Sequence, residues 1–327
     1  MAEPLLTVEN LHAHLFTRYG VVRAVDDVSF TVARGETLGL VGESGSGKTM
    51  TCLALLRLLP PGGRIISGRV RYAGADLLTK SEKDMRKVRG EQIAMILQDP
   101  MTSLNPVLSI GRQVEEPIRL HQRLTRTRAR AKAVEILTRV RIPAAEHRVR
   151  DYPHQLSGGM RQRVMGAIAL SCEPGLLIAD EPTTSLDVTI QAQYLTLLKE
   201  LQDEHGVAII FVTHDLGIVA KLCHRVAVMY AGKIVELVSV DNLFDRPLHP
   251  YTRALLASVP KSDRREHRLP TIEGQPPTLH EALPACPFAP RCAHAEPKCF
   301  ERAPPVVAMP DGSMARCWKV ADGGLTH

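Results

Sequence analysis

The chain has 327 residues, a net charge of +6 and 44% apolar residues, so it can form a sizeable core and is not expected to be disordered. Its N-terminus lacks the basic start and long apolar region of a secretory signal, and no apolar run is long enough to span a bilayer. We therefore expect any work at a membrane to depend on partner proteins.

Much of the excess positive charge lies between Arg112 and Arg150. Such a segment could bind nucleic acid or anionic lipid, or it could be the solvated face of helices. Apolar residues recur within it at helical spacing, for example Val134, Leu137 and Val140. The pattern favours solvated helices, and we expect no nucleic-acid partner.

The first predicted elements are two antiparallel strands, Leu6–Leu11 and Val28–Val32, because polar and apolar residues alternate in both. Tyr19 lies between them in a chain with only 4% aromatic residues. A lone tyrosine usually serves packing, but residues Gly42–Thr49 fit a phosphate-binding pattern, and upstream of such a loop an aromatic ring could stack on adenine.

A phosphate-binding loop follows. The apolar run Thr37–Val41 predicts a buried strand, and residues Met50–Leu59 predict a helix that stops before Pro60. The residues between them fit the pattern G-x-x-x-x-G-K-[ST] and are Gly42, Glu43, Ser44, Gly45, Ser46, Gly47, Lys48 and Thr49. Glycines let backbone N–H groups point at phosphate oxygens, Lys48 would reach the β and γ phosphates, and Thr49 would bind Mg²⁺.

The middle of the chain combines strands with a helical insertion. Residues 68–72 and 93–97 are predicted strands, the second followed by Gln98. The pattern is helical from about Gly111 to Pro143, within a predicted helical subdomain at about 105–170. Within that stretch Leu156-Ser157-Gly158-Gly159 forms a second glycine turn that opens a helix. The N-terminus of this helix is another ready anion site.

Two further predicted strands end in polar residues. Leu176–Asp180 is an apolar run followed by Glu181, which predicts a metal-side aspartate and a carboxylate that orients or deprotonates water. Residues 207–214 predict another buried strand, which ends in His214, and this side chain could contact a γ-phosphate. Residues 225–237 predict a hairpin.

The composition changes near residue 241, where proline, histidine and charge increase and a polar linker covers Lys261–Arg268. We therefore predict a nucleotide-binding domain over residues 1–240, with a helical subdomain at about 105–170, and an extension over 241–327. A Cys-rich segment, 286–317, lies in the extension, whereas Cys52, Cys172 and Cys223 stand in apolar surroundings typical of buried thiols.

These motifs, in this order, resemble the ATP-binding subunits of ABC transporters, over roughly residues 5–240. The resemblance implies a P-loop α/β fold with a mixed sheet core, an antiparallel β subdomain and a helical insertion. Leu156–Gly159 matches the signature of the family, which a phosphate loop alone would not provide. Two departures are small: Ser185 stands where alanine is more usual, and Met160 where glutamine is common.

The resemblance also implies a role for each matching residue. Tyr19 resembles the adenine-stacking aromatic, Gln98 the glutamine that touches metal and water, and His214 the switch histidine. Asp180 is similar to the Mg²⁺-side aspartate, together with Thr49 and Gln98, and Glu181 to the general base. In this family two subunits enclose two ATP molecules, so Ser157, Gly158, Gly159 and Asp187 would serve the opposite subunit.

A narrower set of residues resembles the dipeptide and oligopeptide importers, in particular the first of their two paired ATPases. The matching stretches are Ala24-Val25-Asp26, Gly42–Lys48, Gln98–Pro106, Tyr152–Gln155 and His249–Thr252. The resemblance implies a second, homologous ATPase, two permeases contacted through residues 99–106, an external binding protein, and a peripheral position on the cytoplasmic face of a bacterial inner membrane. Nickel or glutathione are alternative cargoes.

Four cysteines, Cys286, Cys292, Cys299 and Cys317, offer thiolates for Zn²⁺ or an iron–sulfur cluster. Their spacing fits neither a zinc ribbon nor a ferredoxin, so unliganded thiols are a third possibility. The resemblance favours a structural [4Fe-4S] cluster, because some peptide-importer ATPases hold one in this segment.

Other ABC-type ATPases act in DNA repair, translation or iron–sulfur biogenesis. The first kind needs a long coiled coil between phosphate loop and signature, and the second has two phosphate loops, whereas this chain has a short interval and one loop. The third would have no use for a permease-facing loop. The sequence therefore predicts a transport ATPase.

Overall fold

The computed structural model describes residues 3–99, 103–184, 186–259, 271–280 and 283–324. The chain forms two compact units, the first built mainly from residues 79–212 and the second from residues 4–32, 37–78 and the described residues after 213. The predicted domain boundary near residue 240 is not tested by this division and stays a prediction. The predicted linker Lys261–Arg268 lies outside the described residues.

The strands, in chain order, are β1 (Leu6–Thr17), β2 (Gly20–Val32), β3 (Thr37–Val41), β4 (Gly63–Tyr72), β5 (Ala75–Asp76), β6 (Ile93–Ile96), β7 (Leu176–Asp180), β8 (Ala208–Val212), β9 (Arg225–Tyr230), β10 (Lys233–Ser239), β11 (Val306–Ala308) and β12 (Met314–Arg316). The α-helices are Lys48–Leu55, Glu82–Glu91, Ile110–Gln122, Arg126–Arg139, Ala145–Arg148, Gly158–Leu170, Val188–His205, Leu216–Leu222, Val240–Asp245, Pro250–Ala257, Pro297–Glu301 and Trp318–Ala321. Within the described ranges, no helix combines the length and apolar character needed to cross a bilayer.

The first unit is organised around three parallel strands, in the order β6–β7–β8. Every residue of β7 and β8 is buried, which is typical of parallel strands covered on both faces. The helices between Ile110 and Leu170 pack against one another, in the stretch where the sequence predicts helices. Because parallel strands run the same way, the residues that follow β6 and β7 emerge at one edge of the sheet.

The second unit contains an antiparallel sheet, in the order β2–β1–β4–β5. β1 pairs with β2 through Leu6↔Val32 and Val8↔Phe30, which confirms the predicted antiparallel pair and extends both strands. A second group of strands has β3 parallel to β9, and β9 antiparallel to β10, so this sheet is mixed. The predicted hairpin is therefore confirmed as β9 and β10.

The helix after the phosphate loop ends at Leu55, so the prediction that it extends to Leu59 is wrong. Arg57 has a left-handed φ of 54°, and its N–H donates to the carbonyl of Ala54. The N–H of Leu58 donates to the carbonyl of Leu53 at 2.9 Å. These two bonds form a Schellman motif, which closes the helix before the prolines are reached.

The C-terminal segment shares a hydrophobic core with the second unit. Tyr251 and Phe288 are buried with Val228 and Tyr230 of β9, and the ring centroids of Tyr230 and Tyr251 lie 4.6 Å apart. β12 also pairs with β10, and β11 with β12. The extension after residue 240 is thus packed against the hairpin strands.

His249 gives this core a dependence on pH. It caps the helix Pro250–Ala257 by accepting a hydrogen bond on Nδ1 from the N–H of Tyr251, 3.0 Å away, so it must be neutral there. Burial lowers the pKa of His249 from 6.5 to about 3. The unfolded chain therefore binds more protons than the folded chain between these values, and stability falls as the pH drops through 6.5.

We expect His249→Asn to remove this dependence, because Asn keeps a capping oxygen but does not titrate. Between pH 7.5 and 5.5 the wild type should lose about 1.4 kcal/mol more unfolding free energy than the variant, measured by urea denaturation. Burial raises the pKa of the neighbouring Glu236, which shifts stability in the opposite sense in both proteins. Equal losses in both would contradict the assignment to His249.

Candidate functional site

The phosphate loop connects a buried strand to a helix, as the sequence predicts. β3 is buried throughout, and the helix begins at Lys48. Gly47 has a φ of 105°, and a Cβ on it would lie 2.2 Å from the carbonyl oxygen of Ala24. A Cβ on Gly42 would lie 2.2 Å from the carbonyl oxygen of Met229. Glycine is thus required at both ends of the loop by backbone conformation and by close approach.

Polar groups converge inside the loop. The ammonium of Lys48 is buried and donates to the carbonyls of Gly42, at 2.9 Å, and Glu43, at 3.0 Å. The hydroxyl of Ser46 is buried and has no hydrogen-bond partner within the described part of the chain. A buried cation and an unpaired hydroxyl beside a helix N-terminus suit an anion with several oxygens, such as a phosphate group.

Tyr19 lies at the β1–β2 turn with 74% of its surface exposed. The turn is held by the hydroxyl of Thr17, which donates to the carbonyl of Gly20 and accepts from the N–H of Tyr19. The guanidinium of Arg18 lies 4.6 Å from the ring centroid. An exposed ring on a fixed turn is suited to stacking on a planar ligand.

The two acidic residues lie at the end of β7. Asp180 is 2% exposed. The side chain of Glu181 accepts hydrogen bonds from Nε2 of Gln98, at 3.2 Å, and from the hydroxyl of Thr184, at 3.1 Å. Because β6 and β7 are parallel neighbours, the residues that follow them, Gln98 and Glu181, meet at one edge of the sheet.

The backbone of Glu181 has a left-handed φ of 45°, and its N–H donates to the carbonyl of Val212 at 3.0 Å. For a non-glycine residue this conformation stores strain. The bond to the end of β8 holds the strained residue in place. The carboxylate is thereby presented in a fixed direction, as a residue that orients water requires.

The signature turn lies on the surface of the first unit. Ser157 caps the helix Gly158–Leu170, and Ser157 and Gly158 are both exposed. Asp187 caps the helix Val188–His205 and is also exposed. A Cβ on Gly159 would lie 2.7 Å from Ile190 of the second helix, so the two helix N-termini are close neighbours. Exposed N–H groups at a helix N-terminus are suited to binding an anion.

Other predicted site residues have fewer described contacts. His214 is exposed, two residues after β8 ends. Of the predicted permease loop, residues 100–102 lie outside the described residues, as does Ser185. The described end of that loop is anchored, because the N–H of Asn105 donates to Oε1 of Gln113 at 2.8 Å, and Nε2 of Gln113 donates back to the carbonyl of Asn105.

The four C-terminal cysteines gather in one small region, where the N–H of Cys286 donates to the carbonyl of Cys299 at 2.9 Å. All four are free thiols. Burial raises the pKa of Cys286 to about 11, and the neighbouring thiols Cys299 and Cys317 add to this rise. Four free thiols, two of them buried and two partly buried, form a donor set of the type that binds a metal or a cluster.

The thiols are not arranged as an assembled zinc site. Within the described residues, no three of these Sγ atoms lie within 4.8 Å of one another. A zinc ion with bonds of about 2.3 Å holds its thiolates about 3.8 Å apart.

One compact group of metal-ligand types was not singled out from the sequence, namely His12, His14 and Asp26. Nδ1 of His12 lies 3.1 Å from the carboxylate of Asp26, and the ammonium of Lys233 lies 2.6 Å from it. Burial by itself would raise the pKa of Asp26, but Lys233 and His12 hold this pKa below its usual range. The ammonium already neutralises this carboxylate, so the group is an ion-pair network that links β2 to β10.

Sequence reasoning also missed a contact between the phosphate loop and the C-terminal segment, in which Arg291 and Tyr251 bind Glu43. Tyr251 belongs to the stretch His249–Thr252, but no role could be assigned to it. No sequence pattern pointed to Arg291, because it stands 248 residues from its partner Glu43.

Two family models match the chain. The model "ABC transporter" matches residues 25–184, and "Oligopeptide/dipeptide transporter, C-terminal region" matches residues 235–299. The chain is 53% identical over 320 residues to the "Probable peptide ABC transporter ATP-binding protein y4tR" of Sinorhizobium fredii, covering 97% of this chain and 96% of the relative. It is 48% identical over 321 residues to the oligopeptide transport ATP-binding protein AppD of Bacillus subtilis, covering 98% of each.

Among solved structures, the chain resembles the ATP-binding cassette MJ0796, in a dimeric post-hydrolysis state bound to ADP and Pi. The TM-score is 0.65 at 26% identity, over 72% of this chain and 98% of the other. It also resembles cbiO1 from Clostridium perfringens, part of the ABC transporter complex cbiONQ, with a TM-score of 0.64 at 29% identity, over 75% of this chain and 92% of the other.

Proposed function

This chain belongs to the ABC transporter family of ATP-binding proteins, and we propose that it is the ATP-hydrolysing subunit of a bacterial dipeptide or oligopeptide importer. It is an ABC ATPase with the mixed α/β fold of that family. The observation that carries the proposal is the 53% identity to a peptide-transporter ATPase over 97% of the chain. The relatives reported above are named for peptide or oligopeptide transport, which favours peptides over nickel, glutathione or a non-transport role.

The nucleotide is ATP with Mg²⁺. The role of each site residue follows from the part of ATP or the metal ion that its side chain suits. Lys48 and the loop N–H groups would bind the phosphates, and Tyr19 would stack on adenine. Thr49, Gln98 and Asp180 would serve Mg²⁺ and its waters. Glu181 would act as the general base, a role supported by its strained backbone and its hydrogen bond to Gln98 at 3.2 Å.

The exposed signature turn suggests that hydrolysis needs a second subunit. We infer that Ser157, Gly158 and Gly159, with Asp187, complete the ATP site of a homologous partner ATPase, and that the partner does the same here. His214 would contact the γ-phosphate. The predicted assembly adds two permeases and an external binding protein, and places this chain at the cytoplasmic face of the membrane as a peripheral subunit.

ATP binding would close the pair of ATPases, and closure would move the permeases through the region of Gln98 and the loop that follows it. An affinity-tagged chain purified from detergent-solubilised host membranes should carry two integral membrane subunits and a second ATPase in stoichiometric amounts. A chain that is recovered from those membranes without any permease would contradict the proposal.

We also propose that Cys286, Cys292, Cys299 and Cys317 hold a [4Fe-4S] cluster, supported by four free thiols that lie near enough to influence one another. Bound to this site, the cluster would supply cross-links that hold a Pro-rich segment with a small core. Anaerobically purified protein should contain about four iron and four sulfide per chain and absorb visible light. A colourless protein with one zinc per chain would instead identify the zinc alternative, and metal-free protein the unliganded one.

A further inference from the structure

The phosphate loop is held by a residue of the C-terminal segment. The guanidinium of Arg291 binds the carboxylate of Glu43 through two parallel hydrogen bonds, Nη1 to Oε2 at 2.7 Å and Nη2 to Oε1 at 3.0 Å. The side chain of Arg291 is only 5% exposed. A two-point arginine–carboxylate pair fixes direction as well as distance, and low exposure protects it from screening by salt.

Arg291 is itself fixed by its surroundings. Its Nε donates to the carbonyl of Glu273 at 3.0 Å, and Nη2 also donates to the carbonyl of Ile272 at 3.2 Å. Nη1 also lies 3.2 Å from the hydroxyl of Tyr230. Because the N–H groups are bound on several sides, the guanidinium cannot easily turn away from Glu43, and the contact is a built feature of the fold.

A second bond from the C-terminal segment reaches the backbone of the same residue. The hydroxyl of Tyr251 accepts a hydrogen bond from the N–H of Glu43 at 2.9 Å. Tyr251 is fully buried and packs against Tyr230 and Phe288. Glu43 is therefore held by both its side chain and its backbone.

Glu43 in turn positions the rest of the loop. Its carbonyl accepts from the ammonium of Lys48 at 3.0 Å and from the N–H of Ser46 at 3.2 Å. A binding loop that is ordered before its ligand arrives loses less conformational freedom on binding, and so binds more tightly.

We propose that the C-terminal segment clamps the phosphate loop through Arg291, and that Arg291 is a positioning residue that raises the affinity of the loop for a nucleoside triphosphate. This inference rests on the proposed function, since it assumes that the loop binds ATP. It gives the segment after residue 240 a direct part in nucleotide binding.

The test is a titration of the full-length chain with a fluorescent ATP analogue and Mg²⁺, together with a thermal melt. Arg291→Met should weaken nucleotide binding about tenfold. Arg291→Lys keeps the charge but not the two-point geometry and should fall between Arg291→Met and the wild type. Glu43→Gln should also weaken binding, and the double variant should lose less than the product of the two single losses, because both remove one contact.

Arg316→Met is the matched control. Arg316 also lies in the C-terminal segment, and its Nη2 binds the carboxylate of Asp27 at 2.8 Å with 12% of the side chain exposed. This pair joins the segment to β2 rather than to the phosphate loop. The variant should lower the melting temperature as Arg291→Met does, but leave the dissociation constant within about twofold of the wild type.

The measurements distinguish failure of the clamp from failure of the proposed function. Wild-type affinity in Arg291→Met, or an equal loss in Arg316→Met, would overturn the clamp and leave the proposed function standing. A wild-type chain with no affinity for the analogue would overturn the proposed function and the clamp together.

Discussion

Glu181→Gln is expected to bind ATP normally and to hydrolyse it at least about a hundredfold more slowly than the wild type. Gln has the same shape and can keep a hydrogen bond to Gln98, so the site should survive. It cannot accept a proton from the attacking water, so the chemical step loses its base. Because hydrolysis reopens the closed pair, the variant should also remain as an ATP-bound dimer with its partner ATPase.

Turnover is measured by phosphate release, and the closed state by size-exclusion chromatography with ATP. Glu200→Gln is the matched control, because it removes the same charge from an exposed ion pair with Arg141. It should keep the wild-type rate. Hydrolysis at the normal rate by Glu181→Gln would show that the general-base assignment is wrong.

Gly158→Asp is expected to leave the fold intact and to reduce turnover by at least about a hundredfold. Within the described residues, no atom lies within 4 Å of a Cβ placed on Gly158, so the side chain has room. Position 158 is the first residue of its helix, where an acidic side chain stabilises the helix dipole. In the closed pair the same carboxylate would face the phosphates bound by the partner and repel them.

The measurement compares the melting temperature and the nucleotide affinity of the single chain with the turnover of the assembled pair. We expect the melting temperature and the nucleotide affinity to be unchanged and only the turnover of the pair to fall. Wild-type turnover in the pair would contradict the inference that this turn serves the other subunit, whereas a lowered melting temperature would mean that the glycine is needed for folding.

The parts of the site that were predictable from the sequence depend on short-range rules. The glycines of the phosphate loop are required by positive φ angles and close backbone approach, both of which follow from the loop pattern. The contact between Gln98 and Glu181 follows from two parallel strands that end at the same edge. The loop geometry is thus determined by a local pattern, whereas the contact between Gln98 and Glu181 also needs the two strands to pair.

Most of the remaining features depend on long-range packing that no local pattern contains. The bond between Arg291 and Glu43 joins residues 248 positions apart. β11 and β12 have only three residues each, too few to show a periodic signal; β12 pairs with the edge of β10, and β11 pairs with β12. The helix after the phosphate loop ends early because a Schellman motif forms there, and Arg57 gives no compositional sign of its left-handed conformation.

The central claim is that ATP hydrolysis by this chain drives peptide import. It is tested most directly by the uptake of a radiolabelled dipeptide and a labelled longer peptide into host cells that lack the chain. Uptake of at least one peptide should be lost in these cells, be restored by the wild-type chain, and remain absent when Glu181→Gln is supplied at equal abundance. Normal uptake of both peptides without the chain, or full restoration by Glu181→Gln, would contradict the account.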